Sequence, residues 1–166
     1  MITNNLLRST AWVITATFGL SACAALNDDQ TKVLPINEIY SASTCNIQAQ
    51  GITTIKDKGQ LQQVLKKANA HRLDSKPLDL SLIDFGSSHV FLITMGTRPN
   101  SGYSLTRTGN EARLEDSALH LPIKVNSPEK DRMYAQVMTS PCIVIAVTAG
   151  VYDTINIEGM DTLKYN

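Results

Sequence analysis

Two short stretches set the strongest constraint on how this chain can fold. Val90-Phe91-Leu92-Ile93 and Cys142-Ile143-Val144-Ile145-Ala146-Val147 are unbroken apolar runs, rich in branched residues and bounded by breakers. Successive side chains of a strand point to opposite faces, so runs of this kind are expected as central strands buried on both sides. Other parts of the chain must then cover each face of the sheet they form.

One cover is a helix. From Asp57 or Lys58 onward, Leu61, Val64, Leu65 and Ala68 recur at helical spacing, while Gln62, Gln63, Lys66, Lys67 and Asn69 fill the other side. Asp57 followed three residues later by Gln60 fits a capping box, and Lys66 and Lys67 fall where cations suit the helix dipole. The remaining pattern alternates with the period of a half-buried strand: Tyr103 and Leu105; Leu119, Leu121, Ile123 and Val125; Met133, Ala135 and Val137; Ile155 and Ile157. Pro122 marks a bulge or an edge, and 108–111 and 126–129 have turn composition. The fold class expected is α+β: an antiparallel-rich sheet of about six or seven strands, mostly joined as hairpins, with one packed amphipathic helix.

The amino terminus reads as an address. An apolar stretch from Ala11 to Gly19, too short to span a bilayer, follows Arg8 and leads into Leu20-Ser21-Ala22-Cys23. That tetrapeptide resembles the bacterial lipobox, which makes residues 1–22 a lipoprotein signal peptide and Cys23 the acylated anchor, with a palmitate among its chains. A plain small-x-small cleavage site is the alternative. Residues 23–44 are then expected as anchor and tether, patternless to about Ile36 with Pro35 as a breaker, and 45–166 as the folded domain. Ala24, where inner-membrane lipoproteins often carry Asp, implies by resemblance the outer membrane, facing the periplasm or exported to the cell surface.

Cys45 and Cys142 remain in a compartment that permits disulfides, so a bridge between them is expected; two buried thiols are the alternative. Fifteen basic side chains balance fifteen acidic ones, which argues against nucleic acid as a partner. His71, His89 and His120 stand alone in sequence, with no second ligand at metal spacing. There is no nucleophile elbow, phosphate-binding glycine loop or Cys-x-x-Cys, and Cys142 lies in an apolar run that keeps a thiol inert. The expectation is therefore a protein without catalytic residues, metal or cofactor.

The most distinctive local feature is Met95-Gly96-Thr97-Arg98-Pro99-Asn100-Ser101-Gly102-Tyr103-Ser104. It joins a buried strand to the next, with rigid Pro99 and a Ser101-Gly102 pair able to take positive φ. It reads either as a plain hairpin connection with Tyr103 in the core, or as a recognition loop formed by Arg98, Pro99, Asn100, Ser101, Gly102 and Tyr103, because Arg and Tyr are frequent interface hot spots. Together with Asp84-Phe85-Gly86 and Ser140-Pro141-Cys142-Ile143-Val144, this loop resembles the PrcB C-terminal domain family, subunits of a protease complex, over about residues 83–158. The resemblance implies a lipoprotein domain that associates with an envelope protease and stabilises it. Pro99-Asn100-Ser101-Gly102-Tyr103 is also similar to the second half of the Asn-Pro-Thr-Thr-Gly-Tyr loop of chagasin-like protease inhibitors, although Arg98 stands where that pattern has Asn. A structural envelope lipoprotein is a third reading.

Mass spectrometry of the mature amino terminus tests the address. Acylated Cys23 is expected as the first residue, and an unmodified chain starting beyond Cys23 contradicts it.

Overall fold

The computed structural model describes residues 31–69, 79–160 and 163–164. In chain order the elements are β1 (Lys32–Ala42), β2 (Gln50–Ile55), α1 (Lys58–Ala68), a 3₁₀ turn (Leu80–Leu82), β3 (Ser88–Met95), β4 (Ser104–Arg107), β5 (Glu111–Glu115), β6 (Ala118–Asn126), β7 (Cys142–Thr148), β8 (Thr154–Glu158) and the two-residue β9 (Leu163–Lys164). They form one sheet in the order β2-β3-β7-β1-β5-β6-β8-β9, with β4 also pairing β6.

The two apolar runs are β3 and β7, paired antiparallel from Ser88↔Thr148 to Thr94↔Cys142 and buried on both faces, as their sequence requires. Phe91, Ile93, Ile143, Ile145 and Val147 point to one side. There they meet Leu119, Leu121 and Ile123 of β6 and Ile155 and Ile157 of β8. Val90, Leu92, Cys142 and Val144 point to the other side and meet Leu61, Leu65 and Ala68 of α1. A side chain such as Phe91, with none of its surface in water, contributes about 1.5 to 3 kcal/mol by burial.

The sheet curls back on itself, and β1 makes the bend. Lys32–Pro35 pairs with β5, whereas Ile36–Ala42 pairs with β7 across a bulge between Glu38 and Tyr40. Leu34 and Ile36 are buried at this handover. The expected tether over 23–44 is corrected here: the folded body reaches back to Lys32. Pro35 is not a breaker but the last residue paired to β5, where the strand changes partners and a missing N–H can be tolerated.

The helix forms where its pattern placed it. Asp57 is the N-cap, its carboxylate accepting from the Gln60 N–H at 2.8 Å. The Gln60 side chain reaches back one residue further than a standard capping box, to the Lys56 N–H at 2.8 Å.

Three sheet expectations need correction. The sheet is mixed rather than antiparallel throughout, because β8 runs parallel to β6. It has nine strands among the described residues rather than six or seven, β1, β2, β5 and the two-residue β9 being the additions. Residues 133–137 are not a strand: Met133 and Val137 are exposed, and the backbone there is held by a loop rather than a ladder. Pro122 does sit at an irregularity, a register shift between Leu121 and Lys124 where β6 changes neighbours from β5 to β4.

Cys45 and Cys142 form a disulfide with Cα atoms 6.0 Å apart, spanning 97 residues of chain. It ties the segment after β1 to the first residue of β7 inside the helix-side core. In the chain-entropy model a closed loop of this length contributes about 4 to 5 kcal/mol. Urea unfolding with and without reductant should show a loss of that order; coincident midpoints would contradict it.

Candidate functional site

The 96–103 loop stands at the end of the sheet where β3 finishes and β7 begins. Its floor is Ser140-Pro141-Cys142. Buried Ser140 accepts through its Oγ from the N–H groups of Cys45 (3.0 Å) and Asn46 (2.9 Å), and Met95 N–H donates to the Pro141 carbonyl at 2.9 Å. The disulfide lies directly beneath, so the base of the loop is covalently pinned.

The loop opens at Gly96, whose φ of +68° belongs to the left-handed region. A Cβ there would lie 2.6 Å from the Gln48 carbonyl oxygen, so both conformation and space demand glycine. Gly102 is different. Neither it nor Ser101 has a positive φ, contrary to expectation; its hydrogen instead makes room for Pro128 and Tyr134, each of which would stand 2.9 Å from an added Cβ.

Those contacts come from a second segment, 127–139, that lies along the loop. Arg98 and Thr139 exchange both backbone hydrogen bonds (2.8 and 2.9 Å), Ser101 N–H donates to the Ala135 carbonyl (3.0 Å), and Ala135 N–H donates to Ser101 Oγ (3.1 Å). Thr139 Oγ1 donates to the Asn100 carbonyl at 3.0 Å. Loop and segment thus make one surface. On it Met133 is 96% exposed, Met138 67% and Val137 52%.

The six residues expected to serve recognition divide by what they touch. Asn100 builds the loop, its Oδ1 accepting from the Gly102 N–H at 2.9 Å. Arg98 spreads over the Tyr103 ring, 5.4 Å from its centroid, and its guanidinium donates to the Gln50 side chain. Its Nε is buried with no partner among the described residues. Tyr103 is half-buried under this guanidinium rather than in the core, and Pro99 and Ser101 are exposed. Sequence reasoning missed the exposed 133–138 ridge, because its alternation of apolar residues imitates a half-buried strand.

Cys23 and His71 lie outside the described residues. His89 contacts the Tyr152 hydroxyl through Nδ1 at the opposite end of β3, and burial pushes its pKa below the ordinary histidine value. His120 is half-buried on the face of β6 opposite Leu119 and Leu121, lining a groove of about 680 Å³ with Arg113, Glu111 and Asn156. Among the described residues, no three or more His, Cys, Asp or Glu side chains are grouped to hold a metal ion, and no helix is long and apolar enough to cross a membrane.

Asp84, in the turn before β3, accepts from Gly86 N–H at 2.8 Å and Ser87 Oγ at 2.7 Å, and these hydrogen bonds, Ser87's first, lower its pKa. The Asp84 turn, the 96–103 loop and the Ser140-Pro141-Cys142 floor therefore launch or terminate β3, β4 and β7. No curated protein and no solved structure matches the chain. A family model does match, over residues 89–148, which run from the second residue of β3 to the last of β7 and hold the whole loop surface; its description is PrcB C-terminal, and it is to this family that this part of the chain is similar.

Proposed function

We propose that this chain is a non-enzymatic envelope lipoprotein that binds and stabilises a partner protein, the partner being a protease. The family of the 89–148 segment suggests association with a protease complex. The observation that carries the reading is the ridge: three large apolar side chains, two of them methionines, stand in water within six residues of one another. Scattered apolar residues are ordinary on a surface, but a group of this kind marks a contact, and Met is enriched at interfaces. The ridge is held by loop hydrogen bonds and seated over a disulfide, so little order has to be gained on binding.

The anchor in this reading is acylated Cys23, placing the domain at the outer membrane. Lys32 is nine positions on from Cys23, a reach of at most about 32 Å even fully extended, so the start of β1 would be held near the bilayer, with the recognition surface at the other end of that strand, where Ala42 pairs with Cys142. Insertion of the 99–103 loop into a protease cleft, as in chagasin-like inhibitors, is less well supported. Asn100 and Gly102 are engaged within the molecule and Gly102 is wedged against Pro128 and Tyr134.

Pull-down from the native envelope tests the surface. A Met133→Ser, Met138→Ser double variant should keep its melting temperature, since both side chains are solvated, and lose about tenfold in partner affinity, the effect of removing more than 1 kcal/mol at a hot spot. Arg98→Ala should also weaken capture, with a modest loss of stability from its contacts with Tyr103 and Gln50. Full capture by both variants would place the interface elsewhere.

A further inference from the structure

Beside the ridge, a groove of about 460 Å³ runs between the loop, the end of β6 and the 127–134 segment. Its chemistry is unlike that of the ridge: it is lined by hydroxyls, an amide and charged groups. The Ser101 hydroxyl accepts from Ala135 N–H (3.1 Å), the Ser104 hydroxyl from Asn126 Nδ2 (3.2 Å), and the Tyr134 hydroxyl from Glu129 N–H (3.2 Å). None of these three oxygens donates to another group among the described residues. Each hydroxyl has one proton that no group among the described residues accepts, so all three can be offered to a ligand. Lys124 and Arg132 add two cations to the same lining, against the single carboxylate of Glu129, which lies 3.9 Å from Arg132.

Three hydroxyl protons beside two cations and a single carboxylate give this lining an excess of positive charge and of ready donors, which favours an acceptor that carries negative charge. We propose that this groove is a carboxylate-binding subsite that takes an acidic side chain of the partner, while the neighbouring ridge takes an adjacent apolar one. The proposal deepens the partner-binding reading and rests on it. It also states a partner chemistry: a segment with Asp or Glu next to an apolar residue.

The test uses the full chain in detergent micelles, labelled with ¹⁵N, and two probes: the capped peptide acetyl-Leu-Glu-Leu-amide and its Gln counterpart. The Glu peptide should shift the amides of Ser101, Gly102, Asn126 and Tyr134 saturably, and the Gln peptide should bind about tenfold or more weakly, because it loses the charge-assisted bonds. Lys124→Gln and Tyr134→Phe, the second of which keeps the ring that packs on Gly102, should each weaken the Glu peptide several-fold while spectral dispersion shows an intact fold. Equal midpoints for the two peptides, or shifts confined to other parts of the sheet, would overturn the proposal. Partner capture separates the two claims. Capture lost in the methionine double variant but unchanged in Lys124→Gln removes the subsite and leaves the partner reading. A carboxylate-selective groove in a chain whose capture ignores both variants overturns the assignment of the ligand to the partner.

Discussion

Everything in this molecule depends on β7. It is paired along one edge with β3 and along the other with β1, it is buried on both faces, and its first residue is half of the disulfide. A strand this thoroughly enclosed has no conformational alternative at a tolerable cost, because any slip of one residue would exchange its two buried faces. The residues just before it, Thr139 and Ser140, inherit that rigidity, and through them the loop at 96–103 and the segment at 127–139 are held in place. The proposed recognition surface is thus made of irregular backbone without being soft.

The segment matched by the family model does not close this structure by itself. Residues 89–148 contain β3 to β7, yet in the sheet β7 reaches β5 only through β1, and the inner core is completed by Ile155 and Ile157 of β8. The outer face of β3 and β7 is covered by α1, which also lies outside the matched stretch. The matched stretch therefore holds the surface and the two central strands that support it, while the flanking chain supplies layers that keep water off them.

How much of this was legible in the sequence follows from which signals are local. β3, β7 and α1 were readable because their burial is written in unbroken or helical-period apolar residues. β1 was hidden by Pro35, which usually ends a strand and here sits where the strand changes partners. β2 was hidden because its apolar residues, Ile52 and Ile55, fall on opposite faces and pack in different clusters, leaving no alternation to detect. The β5–β6 hairpin turns on Asp116 and Ser117, both at positive φ (47° and 62°), a geometry that Asn-Gly would have announced and Asp-Ser does not. The ridge failed for the opposite reason: Met133, Ala135 and Val137 have strand spacing but no strand to pair with. The loop was visible as a feature, and only the structure shows that Asn100 and Gly102 serve the loop itself.

The central claim is that a partner protein covers the Cys142 end of the sheet and not the other. Val151 gives a matched control, since it is 89% exposed and follows the far end of β7. A photo-crosslinking residue placed at Met133 or at Val151 in the intact envelope measures this directly. The account predicts a discrete protein adduct from position 133 and none from position 151; an adduct from 151 alone would contradict it.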